Sequence, residues 1–468
     1  MMINYFNFRK FNDKYLITND FGKYAFLSAE DFKTLVLNEE VKNEELDTYL
    51  RNNKFVIESS KTKFIEDNYA DMRAAKSYLH TATSLFIFVV TNACNMSCVY
   101  CQAQSEKGTI RGNMSFETAE KAVDIVLECP SDSISIEFQG GEPLINFETI
   151  KHIIEYTNQK NTSKHIDFNL VSNLTLLTEE NADYLTKHHV RISVSLDGDE
   201  LLHNMNRKYR VGGGTYQDAL KGIKLICKYG AAPGAIQTTT RNSLSRYKEI
   251  IDAYVELGFR SIILRPLTPL GYANETWMEI GYTEEEFMEF YNNSLNYILE
   301  LNCQGIKFRE GHAQIMLEKM FNGVSVNYME LRSPCGAGVG QMAFYYNGNV
   351  YTCDEGRMLS EMGNDIFKMG NVYESSYGDL IESTACKAVC SASFLESLPS
   401  CSDCVYNPYC GVCPVINYAL EKDLISRKYK SLRCGFYKGI LDSLFNILYQ
   451  EQKNYTSILY DWVTGEEE

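Results

Sequence analysis

Three cysteines fall within eight residues, Cys94-x3-Cys98-x2-Cys101, in the stretch TNACNMSCVYCQ. Three thiolates cannot complete a tetrahedral zinc site by themselves. They can hold three corners of a [4Fe–4S] cube and leave the fourth iron open to a substrate or cofactor. The competing readings are buried structural cysteines or part of a zinc site. Nine more cysteines lie between residues 335 and 434. Cys335 precedes Gly348 and Cys353. Then come Cys386-x3-Cys390, Cys401-x2-Cys404-x5-Cys410-x2-Cys413 and finally Cys434. Zinc ribbons also use Cys-x2-Cys pairs, but with a longer span between pairs. Auxiliary Fe–S clusters are therefore the better reading, with zinc as the alternative.

Such loops need a scaffold, and residues 85–270 supply a regular one. Strand-like runs are SLFIFVVT (84–91), SISIEFQ (133–139), IDFNLVS (166–172), RISVSLD (191–197), AIQTTT (235–240) and SIILRP (261–266). Between them lie helical patterns from Ser115 to Cys129, Phe147 to Asn158, after Thr178, Tyr216 to Tyr229, and Tyr247 to Leu257. Strands alternating with helices predict an α/β fold with a parallel sheet, here a partial (β/α)6 barrel of TIM type. Active sites of such folds lie at the C-terminal strand ends. The cysteine loop follows the first strand and Gln139-Gly140-Gly141-Glu142-Pro143 the second. Ser172-Asn173 ends the third, Ser195-Leu196-Asp197-Gly198 the fourth, and Arg265 the sixth. Five polar or glycine-rich features thus share one rim. Adjacent glycines admit close backbone approach, and Glu142 can accept from an ammonium group. Asn173, Ser195 and Asp197 offer hydrogen bonds suited to a ribose or carboxylate, although each alone is a common cap or turn residue.

The loop and its surroundings resemble the radical S-adenosylmethionine (SAM) enzymes. That resemblance implies that the open iron takes the amino and carboxylate groups of SAM. One electron from the cluster then releases a 5′-deoxyadenosyl radical. Gly140, Gly141, Glu142 and Pro143 look like the motif that holds the SAM amino group, and Tyr100 matches the aromatic position near adenine. SLDGDELLHNMNRKYR resembles the stretch after the fourth strand in peptide-modifying members, where Arg207 is a carboxylate contact or, alternatively, a surface salt bridge. The second array resembles the SPASM domain, with one departure: two residues instead of three before Cys413. The resemblance implies that Cys401, Cys404, Cys410 and Cys434 hold one auxiliary cluster and Cys335, Cys353 and Cys413 another. Cys386 or Cys390 supplies the latter's fourth ligand, or the site is open to a substrate thiolate. Three [4Fe–4S] clusters and SAM are the implied cofactors. Asp354 matches the acid that is proposed to accept a substrate proton in sulfatase maturases; the alternative is a solvated pair with Glu355. Cys129, Cys227 and Cys303 sit in helical patterns and read as small buried residues.

Residues 14–57 read as a hairpin turning at Phe21-Gly22, a helix opening at Ser28 with Asp31 in capping-box position, and a second helix with a short strand. This resembles the winged-helix-like segment that pairs a leader peptide with its sheet edge. A plain packing module is the alternative. CVYNPYCGVCPVINY and FRKFNDKYLITNDFGKYAFLS look most like the HxsB type, the radical SAM maturase of His-Xaa-Ser peptide systems. The expected organisation is a recognition segment (1–60), a linker helix (61–84), the barrel (85–275), a helical bridge (276–330), the auxiliary domain (331–440), and a C-terminal helix with an acidic tail (441–468).

At 468 residues, 45% of them hydrophobic, the chain can bury a sizeable core in two or three domains. A formal charge of −16 with no basic run argues against a nucleic-acid partner. No membrane span and no secretory signal are expected, and fifteen cysteines then fit a reducing cytoplasm. The leading function is modification of a small ribosomally made precursor peptide. A flavodoxin or ferredoxin would serve as electron donor, and a paired radical SAM protein is a further candidate partner. The alternatives are a sulfatase-type formylglycine maturase and a non-catalytic Fe–S carrier or zinc scaffold.

Overall fold

The computed structural model describes residues 2–103, 111–323, 326–427, 431–450 and 453–465. The acidic residues Glu466 to Glu468 lie outside them. Nine strands form the central sheet: β1 (Leu85–Thr91), β2 (Ser133–Gly140), β3 (His165–Ser172), β4 (Arg191–Ser195), β5 (Gly234–Thr238), β6 (Leu264–Arg265), β7 (Gln341–Tyr345), β8 (Asn349–Tyr351) and β9 (Lys368–Asn371). Their spatial order is β6-β5-β4-β3-β2-β1-β7-β8-β9. Strands β1 to β6 run parallel to their neighbours, as the alternation of elements requires. Six of the seven residues of β1 are buried, which is why LFIFVVT reads as a continuous apolar run. Two of the crossover helices begin at side-chain caps. Ser115 Oγ accepts from Thr118 N at 3.1 Å and Thr178 Oγ1 from Asn181 N at 3.2 Å.

The fold departs from the sequence expectation in three places. SIILRP is two short strands: Ser261–Ile262 pairs in parallel with Arg309–Glu310, while β6 pairs with β5. The break has a cause. The Glu310 carboxylate accepts from Leu264 N at 3.2 Å and from Ala313 N at 2.7 Å, replacing a ladder bond with a helix cap. Secondly, β7 lies parallel to β1, with Gln341 opposite Leu85 and Tyr345 opposite Val89. The cysteine-rich region therefore extends the barrel sheet, and Phe344 packs against Phe86 and Phe88. Thirdly, the C-terminal helix spans Leu432–Tyr449 and runs across residue 440, because Ser431 caps it by accepting from Cys434 N at 3.3 Å.

The N-terminal segment holds a three-stranded antiparallel sheet of Asn7–Phe11, Lys14–Thr18 and Tyr24–Leu27, and Met2–Ile3 pairs with Val56–Ile57. It packs on the cysteine-rich region. Thr18 Oγ1 donates to Val405 O at 2.6 Å, Asn7 Nδ2 donates to Cys404 O at 3.1 Å, and Tyr409 Oη donates to Gly22 O at 3.0 Å. Tyr24 meets Phe445 edge-on at 5.3 Å. Among the described residues no helix is long and apolar enough to cross a membrane.

Candidate active site

The C-terminal ends of the barrel strands surround a cavity of about 220 Å³. Cys94, Cys98 and Cys101 line it, with Tyr100, Gly140, Gly141, Glu142, Asn173, Ser195 and Arg207. The glycine loop is strapped to the cysteine loop: Gly141 N donates to Thr91 O at 3.0 Å and Glu142 N to Ala93 O at 2.8 Å. A Cβ on Gly140 would lie 2.3 Å from Thr91 O, and one on Gly141 2.3 Å from Ala93 O. Only glycine permits that approach. A second strap joins the loop to the segment after β4. The short strand Met96–Cys98 pairs antiparallel with Arg207–Tyr209, placing Cys98 opposite Arg207.

Pro143 and Asp197 do not line the cavity. Pro143 is buried in the turn after the glycines. Asp197 is fully buried behind Tyr100 and Arg207. Its carboxylate accepts from Tyr100 Oη at 2.7 Å, Asn206 Nδ2 at 3.1 Å, Arg207 Nη2 at 3.2 Å and Thr238 N at 3.3 Å. It orients the cavity residues Tyr100 and Arg207. Arg207 is therefore half of a buried pair, 7% exposed, and the surface salt-bridge reading falls. Its guanidinium lies 5.3 Å from the Tyr100 ring centre, and its buried Nε has no hydrogen-bond partner. Glu142 is 1% exposed. It accepts from Ser172 Oγ at 2.7 Å, Asn173 N at 2.8 Å and Leu144 N at 3.0 Å, fixing the end of β3. Burial pushes the Glu142 carboxyl up, against those three bonds. Burial pushes the Cys98 thiol up to about 12, although Arg207 pulls it down. Such thiols ionise when they bind iron, so three thiols beside an unpaired guanidinium donor form a set suited to an anionic iron–ligand assembly.

The other cysteines fall into groups. Cys401, Cys404, Cys410 and Cys434 border one small cavity, which Cys413 also touches. Cys335, Cys353 and Cys413 share a buried patch with Leu270 and Val389. Cys386 and Cys390 lie one turn apart on the helix Thr384–Ser391. Among the described residues no three His, Cys, Asp or Glu side chains converge tightly enough to hold a single metal ion. Cys129 is buried as expected, but Cys227 and Cys303 are exposed, both facing outward near the ends of their helices. Asp354 is not a solvated acid: its carboxylate accepts from Arg357 Nε at 3.1 Å, and Arg357 is 1% exposed.

A second cavity of about 690 Å³ has no counterpart in the sequence reading. It shares Arg265 and Pro266 with the cysteine-lined cavity. Leu267, Trp277, Ile416 and Phe436 form its apolar wall, and Glu330, His312 and Arg433 its floor. Glu330 accepts from Arg265 at 3.0 Å and from Arg433 at 3.0 Å. Burial alone would raise its carboxyl, but the two arginines hold it down to about 2. His312 Nδ1 is buried there without a partner, and burial lowers its ring below the usual histidine range. Only Arg265, at a strand end, carried a sequence signal.

The model of the radical SAM superfamily matches residues 88–242, and that of the SPASM iron–sulfur cluster-binding domain matches 335–405. The chain is 31% identical over 211 residues to an uncharacterized protein of Methanocaldococcus jannaschii, covering 45% of this chain and 71% of that one. It is 24% identical over 373 residues to the cysteine-type anaerobic sulfatase-maturating enzyme of Clostridium perfringens, covering 77% and 96%. Streptococcus suis SuiB bound to precursor peptide SuiA shares the fold with a TM-score of 0.56 at 16% identity, covering 92% of this chain and 99% of that one. The two matched domains indicate Fe–S clusters and SAM as cofactors of an enzyme.

Proposed function

We propose that this chain, which belongs to the radical SAM superfamily, cleaves SAM reductively and modifies a ribosomally made peptide. In this reading Cys94, Cys98 and Cys101 hold the SAM cluster. Tyr100, Gly140, Gly141, Glu142, Asn173, Ser195 and Arg207 surround SAM, with Pro143 and Asp197 supporting them from behind. Cys401, Cys404, Cys410 and Cys434 hold one auxiliary cluster. Cys335, Cys353 and Cys413 hold a third, completed by Cys386 or Cys390 or left open. The bound cluster and SAM together supply a 5′-deoxyadenosyl radical. The protein's own residues orient SAM, exclude water and present a substrate segment.

The observation that carries the peptide reading is the cleft of about 690 Å³ that meets the SAM cavity at Arg265 and Pro266. It can seat a chain segment whose neighbouring residue reaches the radical. A solved relative bound to its precursor peptide supports the same substrate class. The HxsB subtype rests on CVYNPYCGVCPVINY and the N-terminal segment. A sulfatase-type maturase is the second reading, favoured by the Clostridium perfringens relative, of which this chain covers 96%. Anaerobic co-expression with a short peptide encoded beside the gene, read by mass, separates these. A loss of two mass units means a crosslink or desaturation. Unchanged mass with deuterium uptake from solvent means epimerisation. An unmodified peptide together with formylglycine on a sulfatase motif overturns the first reading.

Asp354 is the proposed proton acceptor. The Arg357 guanidinium fixes the orientation of its carboxylate. Asp354→Asn is expected to cut peptide product about a hundredfold and leave SAM cleavage intact. Unchanged product removes Asp354 from the chemistry.

A further inference from the structure

A charge taken out of water without a counter-charge costs far more than a hydrogen bond returns, so buried cations are normally paired with acids. Two cations here break that rule. Lys319, on the helix Gly311–Asn322, is 7% exposed. Its ammonium donates to the carbonyls of Leu331 and Tyr409, the latter at 3.4 Å. Arg332 is 3% exposed. Its Nε donates to Pro334 O at 3.1 Å, its Nη1 donates to Asn327 Oδ1 at 2.7 Å, and its guanidinium lies 4.2 Å from the Tyr78 ring centre. Among the described residues neither has a carboxylate partner. Lys319, Arg332 and Cys410 border one small cavity, and the third cation there, Lys76, is already paired with Glu396.

We propose that Lys319 and Arg332 are the counter-charges of the two auxiliary cysteine groups and set the reduction potentials of the clusters they hold. This rests on the Fe–S reading of those cysteines. Lys319 serves the group of Cys401, Cys404, Cys410 and Cys434, because the Tyr409 carbonyl that anchors it belongs to the residue before Cys410. Arg332 serves the group of Cys335, Cys353 and Cys413, because it lies three residues before Cys335 and grips the intervening Pro334 carbonyl. A cluster held by thiolates is anionic, and its potential follows net charge and hydrogen bonding around the sulfurs. A fixed cation favours the reduced, more negative state. Removing it must lower the potential.

The test is a redox titration of reconstituted holoenzyme with SAM present, followed by electron paramagnetic resonance. Lys319→Met keeps the stem and removes the charge. The one-electron equilibrium of one auxiliary cluster is expected to shift about tenfold toward the oxidised form, about 59 mV more negative. The other auxiliary cluster and the SAM cluster should not move, and Lys319→Arg should stay near wild type. Arg332→Met should move the other auxiliary cluster instead. Unchanged potentials at full iron content would overturn the proposal. If Lys319→Met loads less iron, Lys319→Arg must restore it; equal loss in both shows that the stem and not the charge matters, and overturns it too. Zinc in place of iron in the wild-type auxiliary domain would instead defeat the Fe–S reading beneath.

Discussion

Replacing Cys94, Cys98 and Cys101 together with alanine abolishes 5′-deoxyadenosine formation while the auxiliary clusters stay in place. The three thiols line one cavity and belong to a loop pinned from two sides, by the glycine turn and by the strand pair with Arg207–Tyr209. No other cysteine borders that cavity among the described residues. The auxiliary cysteines lie in separate groups with their own buried surroundings. Iron should therefore fall from about twelve to about eight atoms per chain, if all three clusters are four-iron cubes. Iron analysis and anaerobic assay of 5′-deoxyadenosine measure the two effects independently. Retained SAM cleavage contradicts the cluster assignment. About four iron atoms with stoichiometric zinc in the wild type would favour a zinc-binding tail.

Asp197→Asn should be the most damaging single conservative change near the cavity. The substitution preserves size, but every group facing Asp197 is a donor: a phenol, an amide, a guanidinium and a backbone N–H. An asparagine amide turns its own N–H groups toward at least one of them and leaves Arg207 as an uncompensated buried cation. Breaking a buried pair in this way costs about 3–5 kcal/mol. Urea denaturation of wild type and variant measures that loss. Tyr100 and Arg207 lose their shared anchor at the same time, so SAM binding should weaken at least about tenfold. A variant with wild-type midpoint and SAM affinity would show that the pair is dispensable.

The parts of the fold that were legible in the sequence are those with local causes. Strands such as LFIFVVT announce themselves because a parallel strand covered on both faces is apolar throughout. Helix starts at Ser115, Thr178 and Ser28 follow from caps that bond three residues ahead. The cysteine loop and the glycine turn were legible for the same reason: their chemistry is written within a few residues. What escaped depends on distant residues. Met96–Cys98 becomes a strand only because Arg207–Tyr209 arrives beside it. Glu330 gains its partners from positions 265 and 433, and no spacing rule links them. The joining of β7 to β1 could not be read from QMAFY, which is equally suited to an isolated hairpin. Asp197 was legible as a rim residue, but its direction was not. Strand alternation says which rim a residue occupies, whereas four donor groups converging on it decide which way its carboxylate points.

In the proposed function, a radical drawn from SAM in the cysteine-lined cavity takes a hydrogen atom from a peptide in the adjoining cleft. Its most direct measurement uses the peptide encoded beside the gene, made with perdeuterated amino acids, and reduced, reconstituted enzyme in ordinary water. Mass analysis then follows the 5′-deoxyadenosine and the peptide from one reaction. The expected result is deuterium in 5′-deoxyadenosine, formed in step with a mass change in the peptide and absent when Cys94, Cys98 and Cys101 are alanine. Unlabelled 5′-deoxyadenosine beside an unchanged peptide, or no 5′-deoxyadenosine at all from fully iron-loaded protein, would contradict it.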